Sequence, residues 1–148
     1  MDQYKESLRY HFLALEDSKY LSPKKEANLL TQISQTYRFM GEYAKAAEHQ
    51  YRGLAISESI KDSMGIVLGH FILSTIYHYS HQDEKSYEEA YLAYEAYQTF
   101  YPDEVDEYLH VILHGLAAVE GRMENMEKYE YFTRKTMEVA LELGDGYT

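Results

Sequence analysis

Apolar residues along this chain fall at helical intervals. Leu30, Ile33 and Tyr37 lie three and four apart; Leu73 with Ile76 or Tyr77, and later Ile112, Leu113 and Leu116, keep the same spacing. That spacing puts one apolar stripe on a helix, whereas a half-buried strand would alternate every second residue. The prolines punctuate the pattern in Leu21-Ser22-Pro23 and Phe100-Tyr101-Pro102-Asp103. A residue before proline is pushed out of the helical region, which predicts helix ends near Leu21 and Tyr101. Ser22-Pro23 and Asp103 then read as the starts of the next helices, because serine or aspartate accepts from free amides and proline suits a first turn. Gly41 and Gly121 sit in polar junctions, where glycine suits the left-handed residue that closes a helix.

The chain also repeats itself. Tyr4 to Leu15 lies 39 positions before Tyr43 to Leu54, with tyrosine, small residue and leucine in register. Leu30, Ile33, Ser34 and Tyr37 recur 40 positions later as His70, Leu73, Ser74 and Tyr77, and a further step of 40 reaches His110, Leu113, His114 and Ala117. A period of this length holds two helices, which cannot bury an apolar face alone and gain a core by stacking on their neighbours.

The segment Leu30-x2-Ile33-Ser34-x2-Tyr37-x3-Gly41-x-Tyr43-x2-Ala46-x6-Gly53-Leu54 resembles the tetratricopeptide repeat (TPR). A second copy runs through Leu73-Ser74-x2-Tyr77 and Tyr87-x2-Ala90-x3-Tyr94, with about four extra residues assigned to the turn from His81 to Lys85. The third keeps Leu113 and Gly121 but has Ala117 and Met126 where tyrosine and alanine are usual. The resemblance implies an all-α fold: a right-handed α-α superhelix of three helical hairpins plus an N-terminal unpaired helix, seven helices in one TPR-like domain. Residues 2–21 would be the second helix of a partial repeat, and 23–60, 63–101 and 103–143 three repeats. The long period and the closing Leu143-Gly144-Asp145 are similar to the long-repeat variety of bacterial regulators and scaffold proteins. The chain thus starts on an unpaired helix and stops where another repeat would begin. Its last helix carries Phe132, Met137, Val139, Ala140, Leu141 and Leu143, a poor polar cap. The expectation is a piece of a longer protein, with a chain that buries its ends by pairing as the alternative.

Composition changes this picture mainly by exclusion. The 148 residues suffice for one domain, and 45 % hydrophobic with 26 % charged residues suits a folded chain. Cysteine is absent, which removes disulfides, thiolate nucleophiles and cysteine-bound zinc. Together with an N-terminus unlike a signal peptide, it suggests a cytoplasmic setting. A net charge of −11 leaves no basic footprint for nucleic acid or anionic lipid, and no apolar run is long enough to span a bilayer.

Candidate chemistry is sparse. His78-Tyr79-Ser80-His81-Gln82-Asp83-Glu84 offers two imidazoles and two carboxylates, yet no third strong ligand stands at a defined spacing. His110 and His114 share a helix face; in the repeat register, where His70 matches His110, they read as interfacial packing residues whose titration would make stability pH-sensitive. Tyr87, Tyr91, Tyr94, Tyr97 and Tyr101 form a helical stripe that reads as packing surface. The many carboxylates single out no catalytic pair, and no phosphate loop, nucleophile elbow or zinc-protease helix is present. The expectation is a non-enzyme with no cofactor and no metal site.

The TPR resemblance implies a concave groove lined by the first helices of each hairpin. Transferring its positions gives Asn28, Thr31, Gln35, Arg38 and Phe39, then Leu68, Phe71, Thr75, His78 and Tyr79, then Tyr108 and Val111, followed by Gly115, Ala118 and Val119. Thr31 and Gln35 stand where chaperone-binding members clamp a terminal carboxylate, so a ligand with apolar anchors fits better. The resulting expectation is a protein- or peptide-binding module, the sensory or docking part of a bacterial signalling or regulatory protein. The alternative is a structural spacer or homodimerisation segment that uses exposed solenoid ends.

Overall fold

A computed structural model describes residues 2–17 and 20–145 of the chain. Seven α-helices account for most of them: α1 (Asp2–Glu16), α2 (Pro23–Phe39), α3 (Tyr43–Ser59), α4 (Ser63–Tyr79), α5 (Asp83–Phe100), α6 (Glu107–Arg122) and α7 (Met126–Asp145). No strand occurs among the described residues. The first helix therefore closes at Glu16 rather than near Leu21, while Ser18 and Lys19 of the segment expected to be helical lie outside the described residues, as do residues 146–148. At the start of α2 the Ser22 hydroxyl accepts from the Lys25 amide, with Pro23 in the first turn.

Two expected boundaries move. The carboxylate that caps α6 is Asp106, which accepts from the Tyr108 and Leu109 amides at 2.9 and 3.0 Å; Asp103 stays in the preceding loop. Gly121 is helical, and its missing side chain makes room for the Tyr129 ring, which a Cβ there would meet at 3.1 Å. The left-handed residue closing α6 is Glu124 (φ 57°), the counterpart of Gly41 (φ 77°), Lys61 (φ 56°) and His81 (φ 58°) after α2, α3 and α4. Each of these turns is tied the same way: Glu42 N–H donates to Tyr37 O, Asp62 to Ser57, Gln82 to Tyr77 and Asn125 to Glu120, at 2.9–3.0 Å. This pattern satisfies carbonyls that a helix end leaves free and fixes the angle at which the next helix departs.

Successive helices pack antiparallel as hairpins. The backbones of α2, α4 and α6 also approach one another, while those of α3, α5 and α7 stay farther apart, so the array curves with the even-numbered helices inside. Small residues set the close contacts. The Ser34 hydroxyl donates to Ala46 O at 2.8 Å and the Ser86 hydroxyl to Ser74 O at 2.9 Å, each joining the two helices of a hairpin. Gly53 faces Ala27 O on α2, and Gly69 faces the Leu54 side chain on α3. The largest apolar core lies between α4, α5, α6 and α7, around Tyr97, Leu113, Leu116 and Phe132. Full burial of each such side chain contributes about 1.5–3 kcal/mol.

The third hairpin follows a step of 43 residues, not 40. Leu73, Ser74, Ile76 and Tyr77 on α4 are buried, and so are Leu116, Ala117, Val119 and Glu120 on α6. The turn from Tyr79 to Asp83 has the same length as that from Phe39 to Tyr43, so the extra residues lie between α5 and α6 and not at His81–Lys85. No helix among the described residues is long and apolar enough to cross a membrane.

Candidate functional site

The inner face carries two adjoining cavities. One, of ≈ 280 Å³, lies between α2, α3 and α4 and brings together Asn28, Thr31, Gln35, Leu68 and Phe71. The other, of ≈ 190 Å³, lies between α4 and α6 and gathers Phe71, Thr75, His78, Tyr79 and Val111, with Gly115, Ala118 and Val119. Phe71 is the wall common to both. Helical periodicity explains the selection: positions 68, 71, 75, 78 and 79 of α4 share one stripe, while 73, 76 and 77 face the core.

Arg38, Phe39 and Tyr79 meet at the C-terminal end of this face. The Arg38 guanidinium lies 4.3 Å from the Phe39 ring centre and 5.3 Å from that of Tyr79, while Phe39 stacks on Tyr4 of α1 at 6.1 Å. Phe39 and Tyr79 remain 57 % and 52 % exposed, so a cation flanked by two available rings stands at the rim. Tyr108 is exposed at the start of α6 and lines neither cavity. In the 43-residue register it matches Gly65, and Val111 takes the place of Leu68.

The same shift brings in residues that the sequence reading placed elsewhere. His114 matches Phe71 and lines the smaller cavity from an exposed position; it is not an interfacial packing residue. His110 is half-buried. His49 is the buried histidine, its Nδ1 2.8 Å from Lys45 O; the half-buried His70 places its Nδ1 2.7 Å from Glu89 Oε2, and Glu89 Oε1 accepts from the Tyr51 hydroxyl at 2.9 Å. Tyr51 and Tyr77 share a further hydroxyl contact at 3.1 Å, so one carboxylate links α3, α4 and α5. Burial, followed by these hydrogen bonds and the Glu89 charge, pushes the Tyr51 phenol far above its usual range.

The histidine-rich turn is organised around a cation from the protein itself. Arg122 donates to the His78 carbonyl at 3.0 Å and reaches His81 Nδ1 at 2.9 Å and Asp83 Oδ1 at 2.9 Å. The groups that could have approached a metal ion thus surround a guanidinium, and no cluster of three potential ligands occurs among the described residues. Burial first, and then the Arg122 charge, lower the His78 pKa below the ordinary imidazole value. A neutral imidazole is the form that can accept from the guanidinium.

The tyrosine stripe divides. Tyr97 is fully buried in the core, and Tyr101 packs against the same cluster. Tyr87 and Tyr94 are half-buried against that cluster too, while Tyr91 is exposed, and the three line, with Lys128, Tyr131 and Phe132, a ≈ 310 Å³ depression between α5 and α7. Sequence reasoning also missed Gln50, Gly53 and Ser57, which line the larger inner cavity from α3. The repeat itself held that signal: the positions 40 residues later are Ala90, Ala93 and Tyr97, all buried.

Comparison with solved structures finds the same architecture under little sequence identity. The chain is similar to BtubC (BKLC) from P. vanneervenii, with TM-score 0.85, 14 % identity, and 95 % of this chain covered against 57 % of that one. It is similar to the apo form of RapI, with TM-score 0.87, 20 % identity, and coverage of 98 % and 52 %. A chain from Podosopora anserina described as kinesin light chain nearly identical TPR-like repeats superimposes with TM-score 0.76 and 14 % identity, covering 96 % of this chain and 69 % of that one. No protein-family model matches the chain, and a search of curated proteins finds no match either. The fold is therefore a TPR-like helical repeat superhelix, and the chain spans little more than half the length of the first two of these structures.

Proposed function

We propose that this chain is a non-catalytic protein- or peptide-binding module whose ligand lies along the inner face of α2, α4 and α6. The single observation that carries this reading is the pair of adjoining cavities on that face, with Phe71 between them and Tyr79 and Arg38 at the rim. A row of pockets at helical spacing suits apolar anchors of an extended or helical segment. The polar groups that could have supported chemistry elsewhere are engaged in structural pairs, Glu89 with His70 and Tyr51, and Asp83 with Arg122. Within a larger cytoplasmic bacterial regulator, such a groove would serve sensing or docking, with the output carried by another part of the protein.

A second reading rests on α7. Met137 and Leu141 are 62 % and 67 % exposed one helical turn apart, a surface that suits self-association or a spacer role. Affinity capture with the wild-type chain and with Phe71→Ala/Tyr79→Ala separates the two. A partner held by the first and lost by the second, at unchanged helix content, supports the groove. Equal capture by both, together with loss of self-association in Leu141→Glu, supports the end surface.

A further inference from the structure

The larger inner cavity differs from its counterpart one repeat later in a way that packing alone does not require. On α5 the floor positions are Ala90, Ala93 and Tyr97, and they are closed, with Tyr97 filling the space as part of the main core. On α3 the same positions are Gln50, Gly53 and Ser57, and a ≈ 280 Å³ cavity remains open. Gln50 lines it, is 1 % exposed, and its Oε1 has no hydrogen-bond partner among the described residues. A buried acceptor left unmet is costly, so a polar residue at this depth needs a partner from elsewhere.

We infer that this cavity is a binding site for an uncharged primary carboxamide, the side chain of an asparagine or glutamine in the bound peptide. Three observations select that chemistry. No ionisable side chain lines the cavity, so a charged group would enter without a counter-charge. Its polar lining consists of amides and hydroxyls, with Gln35 and Thr31 across from Gln50. A primary amide offers one donor edge and one acceptor edge, so the Gln50 amide pairs with another of its kind whichever way it is turned. Leu68, Phe71 and Ile72 supply the apolar wall for the ligand's methylenes. This deepens the peptide-binding reading above and rests on it, but the cavity can be probed without a peptide.

The probe is propionamide, titrated into the isotopically labelled full chain and followed by NMR, with propionate as the charged control. The site predicts shifts at the Gln50 side-chain amide and the Gly53 and Gly69 backbone amides with propionamide and not with propionate. Ser57→Tyr, which copies the closed repeat, should weaken the response at least tenfold. Gln50→Met, which keeps the cavity's size without the acceptor, should do the same and covers the case in which the tyrosine variant fails to fold. Silence at those three residues, or an equal response to propionate or in both variants, overturns the assignment. Selection of a random peptide library on the same chain tests the remaining step. Selected peptides should carry Asn or Gln at one fixed position, and replacing it with Leu should weaken binding about tenfold. Peptides that bind without that preference overturn the carboxamide site and leave the groove reading standing. Propionamide binding with no selectable peptide does the reverse.

Discussion

Replacing Lys61 with glycine and Gly41 with alanine should move stability in opposite directions by similar amounts. Both residues occupy the left-handed position that closes a helix, at φ 56° and 77°. A Cβ added at Gly41 would meet nothing within 4 Å, so the cost of Gly41→Ala is that of the backbone conformation alone. That cost is about 1–2 kcal/mol. The unfolded chain is stiffened by the same substitution, which returns about 0.4–1 kcal/mol. The net destabilisation is therefore about 0.5–1 kcal/mol. Lys61 is exposed, so Lys61→Gly should release the same strain and stabilise by a like amount. Urea unfolding followed by circular dichroism reads the difference as a change in midpoint at constant slope. If both substitutions shift the midpoint in the same direction, or Gly41→Ala leaves it unchanged, the left-handed turns are not what holds the hairpin angles.

Three other outcomes follow from the same geometry. Leu73→Ala removes a fully buried side chain and should cost about 2–5 kcal/mol in urea unfolding; Phe71→Ala, two residues away on the groove face, should cost distinctly less while abolishing ligand binding. Glu89→Leu strips His70 and Tyr51 of their shared acceptor and should destabilise by about 1–3 kcal/mol, with Glu89→Gln intermediate in the same assay. His78, held neutral by burial and Arg122, binds its proton less readily folded than unfolded, so its contribution is present above the ordinary imidazole pKa of about 6.5 and lost as pH falls below it. Between pH 7.5 and 5.5 the urea midpoint of the wild type should drop more than that of His78→Gln, and equal drops would refute that assignment.

Much of the architecture was legible because it rests on local rules. Ser22-Pro23 and Gly41 announce their turns through side-chain and backbone chemistry that needs no tertiary context. The third hairpin was harder, because Asp103 and Asp106 are both able to cap a helix and only the path of the α5–α6 loop selects Asp106. A three-residue shift in the register of α6 puts His114 at the groove position of Phe71 and leaves Tyr108 outside the cavity, while Val111, Gly115, Ala118 and Val119 line it as expected. Lys61, His81 and Glu124 show the same limit from another side: the fold imposes a left-handed backbone on residues that do not advertise it. The inner cavity is a relation between repeats. Ser57 is unremarkable until it is set beside Tyr97 at the same place one repeat later. Arg122, likewise, stands where the second copy has Tyr79, and its role emerges only when the turn at His81 and Asp83 folds back to meet it.

The central claim is that ligand binding occurs on the inner face and not on the exposed face of α7. A photo-reactive phenylalanine analogue placed at Tyr79 in one version of the chain, and at Met137 in another, tests it directly. The account predicts that a captured partner is cross-linked from position 79, that the adduct is lost on adding Phe71→Ala, and that position 137 gives none. Cross-linking from position 137 alone would contradict it and transfer the function to the exposed face of α7.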